Sequence, residues 1–452
     1  MTTSTSRSSS SSGSSSNNTN NNSASSNNPE NDDVRHESPR DNHRNHIWCW
    51  EAPTAHGVLT QDGVTQIAHH KYSPGKYTYL DSLLNPIWTH LTELLPMWLA
   101  PNAITTIGGF FCLFSYWLSS FYNSTLVETE GIPDWLLIVN GLCMMMYYTF
   151  DCMDGKQARR TSSSSPLGQL FDHGMDCVCN ISHMSMVQCI VRTPPRTCFW
   201  LQCTLQFTFF QAQWEEYYTG ILPHATGNFI GVTEVNYGMA MWSLLTGLMS
   251  GATLYDMTLD FPMSLPLQTI ITGAEPTRAG GTTLRIKDIM ALGWCYMMMV
   301  LCTLSVIRVA RHVQSTTVFA SALSKLASPA LLCIAALLFT ETQSTTGNPS
   351  IRFQLLSLGF AMCLITIKMI VFSMAHMSYA SFQFSVVPYV LVRWALWFVA
   401  DRHPSLSSLI DPLVALGYLV QLLHWIQMAI SQLLERLQIQ LFRIASVPKK
   451  AE

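Results

Sequence analysis

Apolar residues in this chain fall in long runs of about the length a bilayer requires. The runs lie near 102–122, 134–152, 173–191, 198–216, 235–255, 288–308, 320–341, 354–375, 383–400 and 408–431. A helix needs roughly 20 mainly apolar residues to cross a membrane, and a helix satisfies its own backbone there. The pattern therefore predicts an all-α polytopic membrane protein with roughly ten transmembrane helices and an interfacial N-terminal helix. Polar residues interrupt some runs: Asp172 and Asp176, then Gln202, Gln206, Gln211 and Gln213, then Lys368. Such groups at membrane depth face a protein interior or a watery cavity.

The polar stretches divide the chain further. Residues 1–45 are rich in Ser and Asn and hold too little apolar surface to offset ordering, which predicts a disordered tail. Residues 46–100 carry several tryptophans and tyrosines around KYSPGKYTYLDSLLNPIW, read as an interfacial amphipathic segment with its aromatics at headgroup depth. Residues 101–255 hold the first five runs, 256–287 a loop on the lumenal side, 288–431 the additional spans, and 432–452 a cytosolic tail. Basic residues set the orientation. Lys156, Arg159 and Arg160, then Arg308 and Arg311, then Arg436, Arg443, Lys449 and Lys450 fall on one side by alternation, with Arg192 and Arg196 as exceptions. The bias places both termini in the cytosol. The sequon at Asn123 would then face the lumen.

Composition sharpens this picture. Charged residues make up only 12% of the chain, against about 25% in soluble proteins. A net charge of −3 gives no electrostatic reason for a nucleic-acid partner, and none is expected. The 13 cysteines sit mostly in apolar runs, and Cys177 and Cys179 lack a second pair at zinc-ligand spacing. They read as reduced thiols serving as small apolar residues. The polar start does not read as a signal peptide.

Chemistry concentrates in residues 151–176, DCMDGKQARRTSSSSPLGQLFDHGMD. Asp151 and Asp154 share one helix face, and so do Asp172 and Asp176. Each pair lies at the end of an apolar run, so a helix hairpin brings four carboxylates together. Bare, they would repel and be costly to desolvate. Hard divalent cations remove that cost, and two ions about 4 Å apart form a clamp suited to phosphoryl chemistry. Gly155, Ala158 and Gly168 allow close approach, and Arg159 and Arg160 can fork onto phosphate. A solvated loop is the alternative, but paired spacing at two helix mouths fits it poorly.

The same stretch resembles the CDP-alcohol phosphatidyltransferase signature. That signature is Asp, two residues, Asp-Gly, two residues, Ala-Arg, eight residues, Gly, three residues, Asp, three residues, Asp. Asp151, Asp154, Gly155, Ala158, Arg159, Gly168, Asp172 and Asp176 meet every fixed position. The phrases DGKQARRT, SSSPLG and LFDHG, and elsewhere YSPGKYTYLDSLLNPIW, PMWLAPNAIT, WEEYYTG and AHMS, are similar to the eukaryotic choline/ethanolamine phosphotransferase branch. The likeness runs over roughly 70–430 and weakens in the second half, with no counterpart for the tail or the 256–287 loop.

The resemblance implies that phosphoethanolamine or phosphocholine passes from CDP-ethanolamine or CDP-choline to diacylglycerol in the lipid bilayer, releasing CMP. It implies Mg2+ or Mn2+, two ions, on Asp151, Asp154, Asp172 and Asp176. It implies the endoplasmic reticulum membrane, with Golgi the other address, a cytosolic active site and a homodimer. Asn102 resembles a nucleotide-site position, with a helix cap as the alternative. His173 is the first choice for the base that deprotonates the attacking hydroxyl, Asp176 its competitor, and a hydrogen bond to a metal-ligating carboxylate the other role for His173. Trp214, Glu215 and Tyr217 are headgroup candidates through cation–π and charge contacts, against an interfacial aromatic belt. Lys368 and His376 look family-like but receive no role. Two other functions stay open: a CDP-diacylglycerol-dependent phospholipid synthase, and a non-catalytic lipid-binding or transport protein.

Overall fold

The computed structural model describes residues 58–70, 73, 75–123, 132–277, 280–339, 350–399, 405–438 and 440–444. The Ser/Asn-rich tail, the sequon beyond Asn123 and the last residues lie outside these. The described secondary structure is almost entirely helical, and the protein is an all-α polytopic membrane protein.

Two short helices precede the bundle, α1 (Gln61–His69) and α2 (Tyr79–Glu93). Helix α2 starts on a capping box: the Thr78 side chain accepts from the Asp81 amide, and Asp81 accepts from the Thr78 amide. On and just past α2, Tyr79, Leu83, Ile87, Leu94, Met97 and Trp98 are exposed. This apolar outer face at helical spacing suits a membrane surface.

The first bundle helices are α3 (Pro101–Tyr122), α4 (Asp134–Arg160), α5 (Pro166–Val191), α6 (Pro195–Thr219) and α7 (Val232–Leu248). Proline opens α3, α5 and α6, where its missing N–H costs nothing and its fixed φ suits the first turn. Ser165 caps α5 through the Gly168 amide at 3.1 Å, and Gly220 closes α6 in the left-handed region. Helix α4 packs tightly on α7 through two glycines. A Cβ on Gly141 would lie 2.7 Å from the Ala240 carbonyl oxygen, and one on Gly247 2.6 Å from that of Asp134. Only a residue without a side chain lets the backbones approach this closely. Gly141→Ala is expected to cost about 1–3 kcal/mol by overpacking. A thermal melt in detergent checks this, and an unchanged midpoint would mean that α4 and α7 separate freely.

The stretch read as a simple loop has structure of its own. A 3-10 turn (Gly251–Asp256) leads into β1 (Thr258–Phe261), which pairs antiparallel with β2 (Thr282–Arg285), and α8 (Gln268–Thr272) lies between them. Arg192 and Lys287 both pair with Asp256 at 2.8 Å and tie this cap to α5 and to the next helix. A still smaller antiparallel pairing joins Ala225–Thr226 to Ile230–Gly231.

The second half continues with α9 (Ile286–Val313), α10 (Thr316–Ser324), α11 (Ala327–Leu338), α12 (Ser350–Met374), α13 (Val386–Val399) and α14 (Ser405–Leu437). The run expected as one span at 320–341 is one membrane-length segment, Thr316–Leu338, with a turn at Lys325 and Leu326 between α10 and α11. The Lys325 ammonium is buried there and reaches the Ser381 hydroxyl at 3.2 Å. Among the described residues six segments are long and apolar enough to cross a membrane, and α13 is a shorter apolar helix. Helices α5, α6 and α7 stand where the third to fifth runs were read but are not among the six. On α6 the reason is visible: Gln202, Gln206, Gln211 and Gln213 are all buried inside the protein. The last helix runs past 431 to Leu437, into the segment read as a tail.

Candidate active site

The end of α4 and the start of α5 are joined by the short turn at residues 161–165 and carry the acidic residues. Asp151, Asp154 and Asp172 each offer a carboxylate oxygen, and these atoms lie within 4.8 Å of one another. Asp154 is buried, and Asp151 and Asp172 are half-buried. Oδ1 of Asp172 is sealed from solvent and receives no hydrogen bond. Three hard oxygen donors so close, one of them orphaned, fit a divalent cation. Asp176 falls outside this trio. It sits close enough to Asp151 for their charges to repel, and its Oδ1 accepts from the Tyr147 hydroxyl at 2.5 Å.

Two hydroxyls hold carboxylates of the set, and neither stood out in the sequence. One is Tyr147; the other is Thr105 on α3, which donates to Asp154 and also lies 3.3 Å from the Pro101 carbonyl. Tyr147 precedes Asp151 by one helical turn, so helical spacing alone places it on the same face. Thr105 meets Asp154 only through the packing of α3 on α4, which no local pattern displays.

The residues between the aspartates divide into two kinds. Arg159 is exposed. Arg160, read as a second phosphate donor, is instead committed to structure. It donates to the Thr92, Glu93 and Leu95 carbonyls at and just past the end of α2. Gln157 donates to the Pro96 and Leu99 carbonyls, and Lys156 reaches Asn85 and Thr89. Lys156, Gln157 and Arg160 thus dock the interfacial helix onto the acidic end of α4. An added Cβ would make only ordinary contacts at Gly155 and Gly168, 3.7 Å from the Arg159 guanidinium at the first and 3.5 Å from the Ser165 hydroxyl at the second. Ala158 is half-buried between Gln157 and Arg159.

Asn102 is brought next to Gly168, and its side-chain amide donates to the Leu441 carbonyl at 2.7 Å. It is not a cap, because Ala100 occupies that position of α3. His173 is buried on α5 and interacts with His224 and His70. Burial holds the His224 imidazole below its usual range against the pull of Asp81. His224 is therefore a neutral ring near neutral pH, and its centre lies 6.2 Å from that of the Tyr77 ring in a stacked arrangement.

Trp214, Glu215 and Tyr217 are all buried and all engaged elsewhere. The indole N–H of Trp214 donates to the Ala322 carbonyl at 2.8 Å, and the Tyr217 hydroxyl donates to the Met377 carbonyl at 2.9 Å. Both oxygens of Glu215 accept from Arg308, at 2.5 and 2.8 Å. These residues tie α6 to α9, α10 and the turn after α12. Lys368 lies 5.9 Å from the Trp425 ring centre, in a cation–π contact. Cys177 and Cys179 are buried free thiols.

Comparison with known proteins converges on the same helices. Residues 98–249 match the sequence model of a family described as CDP-alcohol phosphatidyltransferase. The chain is 40% identical over 183 residues to choline/ethanolaminephosphotransferase 2 of Arabidopsis thaliana, covering 39% of this chain and 45% of that protein. It is 37% identical over 214 residues to cholinephosphotransferase 1 of Gallus gallus, covering 46% and 60%. With cholinephosphotransferase 1 of Xenopus laevis it shares 34% over 216 residues, covering 47% and 52%. The matches span about half the length of these relatives.

Proposed function

We propose that the chain, whose residues 98–249 match the CDP-alcohol phosphatidyltransferase family, transfers phosphocholine or phosphoethanolamine from a CDP-alcohol to diacylglycerol, with release of CMP. The observation that carries this reading is the trio Asp151, Asp154 and Asp172, grouped at the mouth of a helix hairpin inside the matched segment. The names of the relatives favour a choline or ethanolamine donor over a CDP-diacylglycerol-dependent synthase.

Asp151, Asp154, Asp172 and Asp176 are the residues that would hold Mg2+ or Mn2+, two ions by the chemistry of the four carboxylates. Bound there, the metal supplies Lewis-acid neutralisation of phosphate charge. The chain's own residues do the rest. Gly155 and Gly168 present backbone without side chains to the diphosphate, Arg159 offers a forked donor to it, and Asn102 lies beside Gly168. His173, buried and next in sequence to Asp172, is the group proposed to take the proton of the attacking hydroxyl. The exposed apolar face of α2 seats the site at the membrane surface, where a lipid hydroxyl and a water-soluble nucleotide meet.

In this arrangement the helices of 101–255 form the catalytic part and those of 288–431 an added bundle. The basic residues at 156–160, 308–311 and 436–443 favour a cytosolic site in the endoplasmic reticulum membrane. A homodimer is the assembly that the family likeness suggests.

The test is a transfer assay on full-length protein in nanodiscs, supplied with diacylglycerol and equal amounts of CDP-choline and CDP-ethanolamine. CMP release that depends on diacylglycerol and stops on chelation with EDTA is expected, and the labelled lipid product reports the preferred headgroup. A folded protein that releases no CMP with Mg2+ or Mn2+ present defeats the reading.

A further inference from the structure

We propose that Tyr147 is a positioning residue for Asp176, fixing the fourth carboxylate so that it can join the other three around an ion. This rests on reading the carboxylates as a metal-binding set.

Three observations support it. First, Asp176 is set apart from the trio, and the bond that holds it is the one from the Tyr147 hydroxyl, at 2.5 Å to Oδ1. A short bond to a carboxylate is charge-assisted and directional. It fixes the rotation of the carboxyl group and leaves the other oxygen, Oδ2, for an ion. Second, Tyr147 is itself immobilised. Its ring is buried and lies 5.5 Å from the His183 ring, tilted at 57°. A rigid donor transmits position; a mobile one does not. Third, its neighbour provides an internal contrast. The hydroxyl of Tyr148 bonds Thr233 at 2.7 Å, and Thr233 in turn bonds Asp81 at the start of α2. Two adjacent tyrosines thus serve two different carboxylates, and only the first serves the candidate site.

Groups that orient a metal ligand typically change metal affinity by about 10–100-fold when removed. The experiment is a Mn2+ titration followed by electron paramagnetic resonance, on full-length protein in nanodiscs, with thermal melts to verify folding. Tyr147→Phe retains the ring and its packing on His183 and removes only the donor. Its Mn2+ affinity is expected to fall about 10-fold or more. Tyr148→Phe is expected to stay within about twofold of the wild type. Tyr147→Phe combined with Asp176→Asn is expected to bind no more weakly than Asp176→Asn alone, since one acts through the other. Unchanged affinity in Tyr147→Phe overturns the proposal, as does an equal loss in the Asp176→Asn background. A wild-type protein that binds no Mn2+ defeats the metal reading itself and this proposal with it. Normal wild-type binding with an indifferent Tyr147→Phe defeats the positioning role alone.

Discussion

Asp172→Asn is expected to leave the protein folded and to lower CMP release by about 10^3-fold or more. Asp172 is the member of the trio contributed by α5, and its Oδ1 is buried without a donor. An asparagine of the same size places either a neutral oxygen or an N–H at that point. Metal ions stabilise phosphoryl-transfer charge by several kcal/mol, and each 1.36 kcal/mol is tenfold in rate. Losing one of the anionic donors removes most of that grip. The fold should not suffer, because the substitution relieves repulsion among Asp151, Asp154, Asp172 and Asp176 when no ion is bound. The expected signature is a melt at or above the wild-type midpoint with activity lost. A protein that keeps wild-type turnover after this change would place the chemistry elsewhere. One that unfolds would make Asp172 a structural residue.

The acidic hairpin was legible because helix spacing is local. Asp151 with Asp154, and Asp172 with Asp176, follow from residue number and a period of 3.6. What the period does not carry is how far Asp176 stands from the other three, since that depends on the angle between α4 and α5. The dual nature of KQARR was hidden for a similar reason. Arg160 looks like a phosphate donor by residue type, but its partners are carbonyls at and just past the end of α2, some 65 to 68 residues earlier. The membrane class was plain from the apolar runs, whereas the number of spans was not. A helix such as α6 hides glutamines against its neighbours, so its apolar run in the sequence does not decide whether it crosses the membrane. In sequence, the Trp214–Tyr217 stretch is open between headgroup contacts and an interfacial aromatic belt. Its aromatic and acidic residues suggest cation recognition, yet the Glu215 carboxylate is filled by Arg308, a residue 93 positions away.

The same limit concealed the charge pair whose loss should be most damaging to stability. Arg393 and Asp411 each lie within an apolar run, on α13 and α14, and neither drew notice as part of a pattern. In the fold they form an ion pair with 3% and 0% side-chain exposure. Gln354 on α12 donates to the second oxygen of Asp411 at 2.8 Å, and the guanidinium lies 5.9 Å from the Tyr389 ring centre. Three helices of the second half thus meet on one carboxylate. Asp411→Ala would strand a buried guanidinium, and removing one partner of such a pair costs about 3–5 kcal/mol. Replacing both, as Arg393→Met with Asp411→Leu, is expected to recover most of that loss, because apolar side chains of similar volume need no countercharge. Thermal melts of the three proteins in detergent measure both effects. Mn2+ affinity of the folded fraction should stay at the wild-type level in each, since the trio of carboxylates belongs to α4 and α5. If Asp411→Ala melts with the wild type, the pair does not hold these helices together. If it melts early and the double replacement melts equally early, the Gln354 contact rather than the paired charge is what matters.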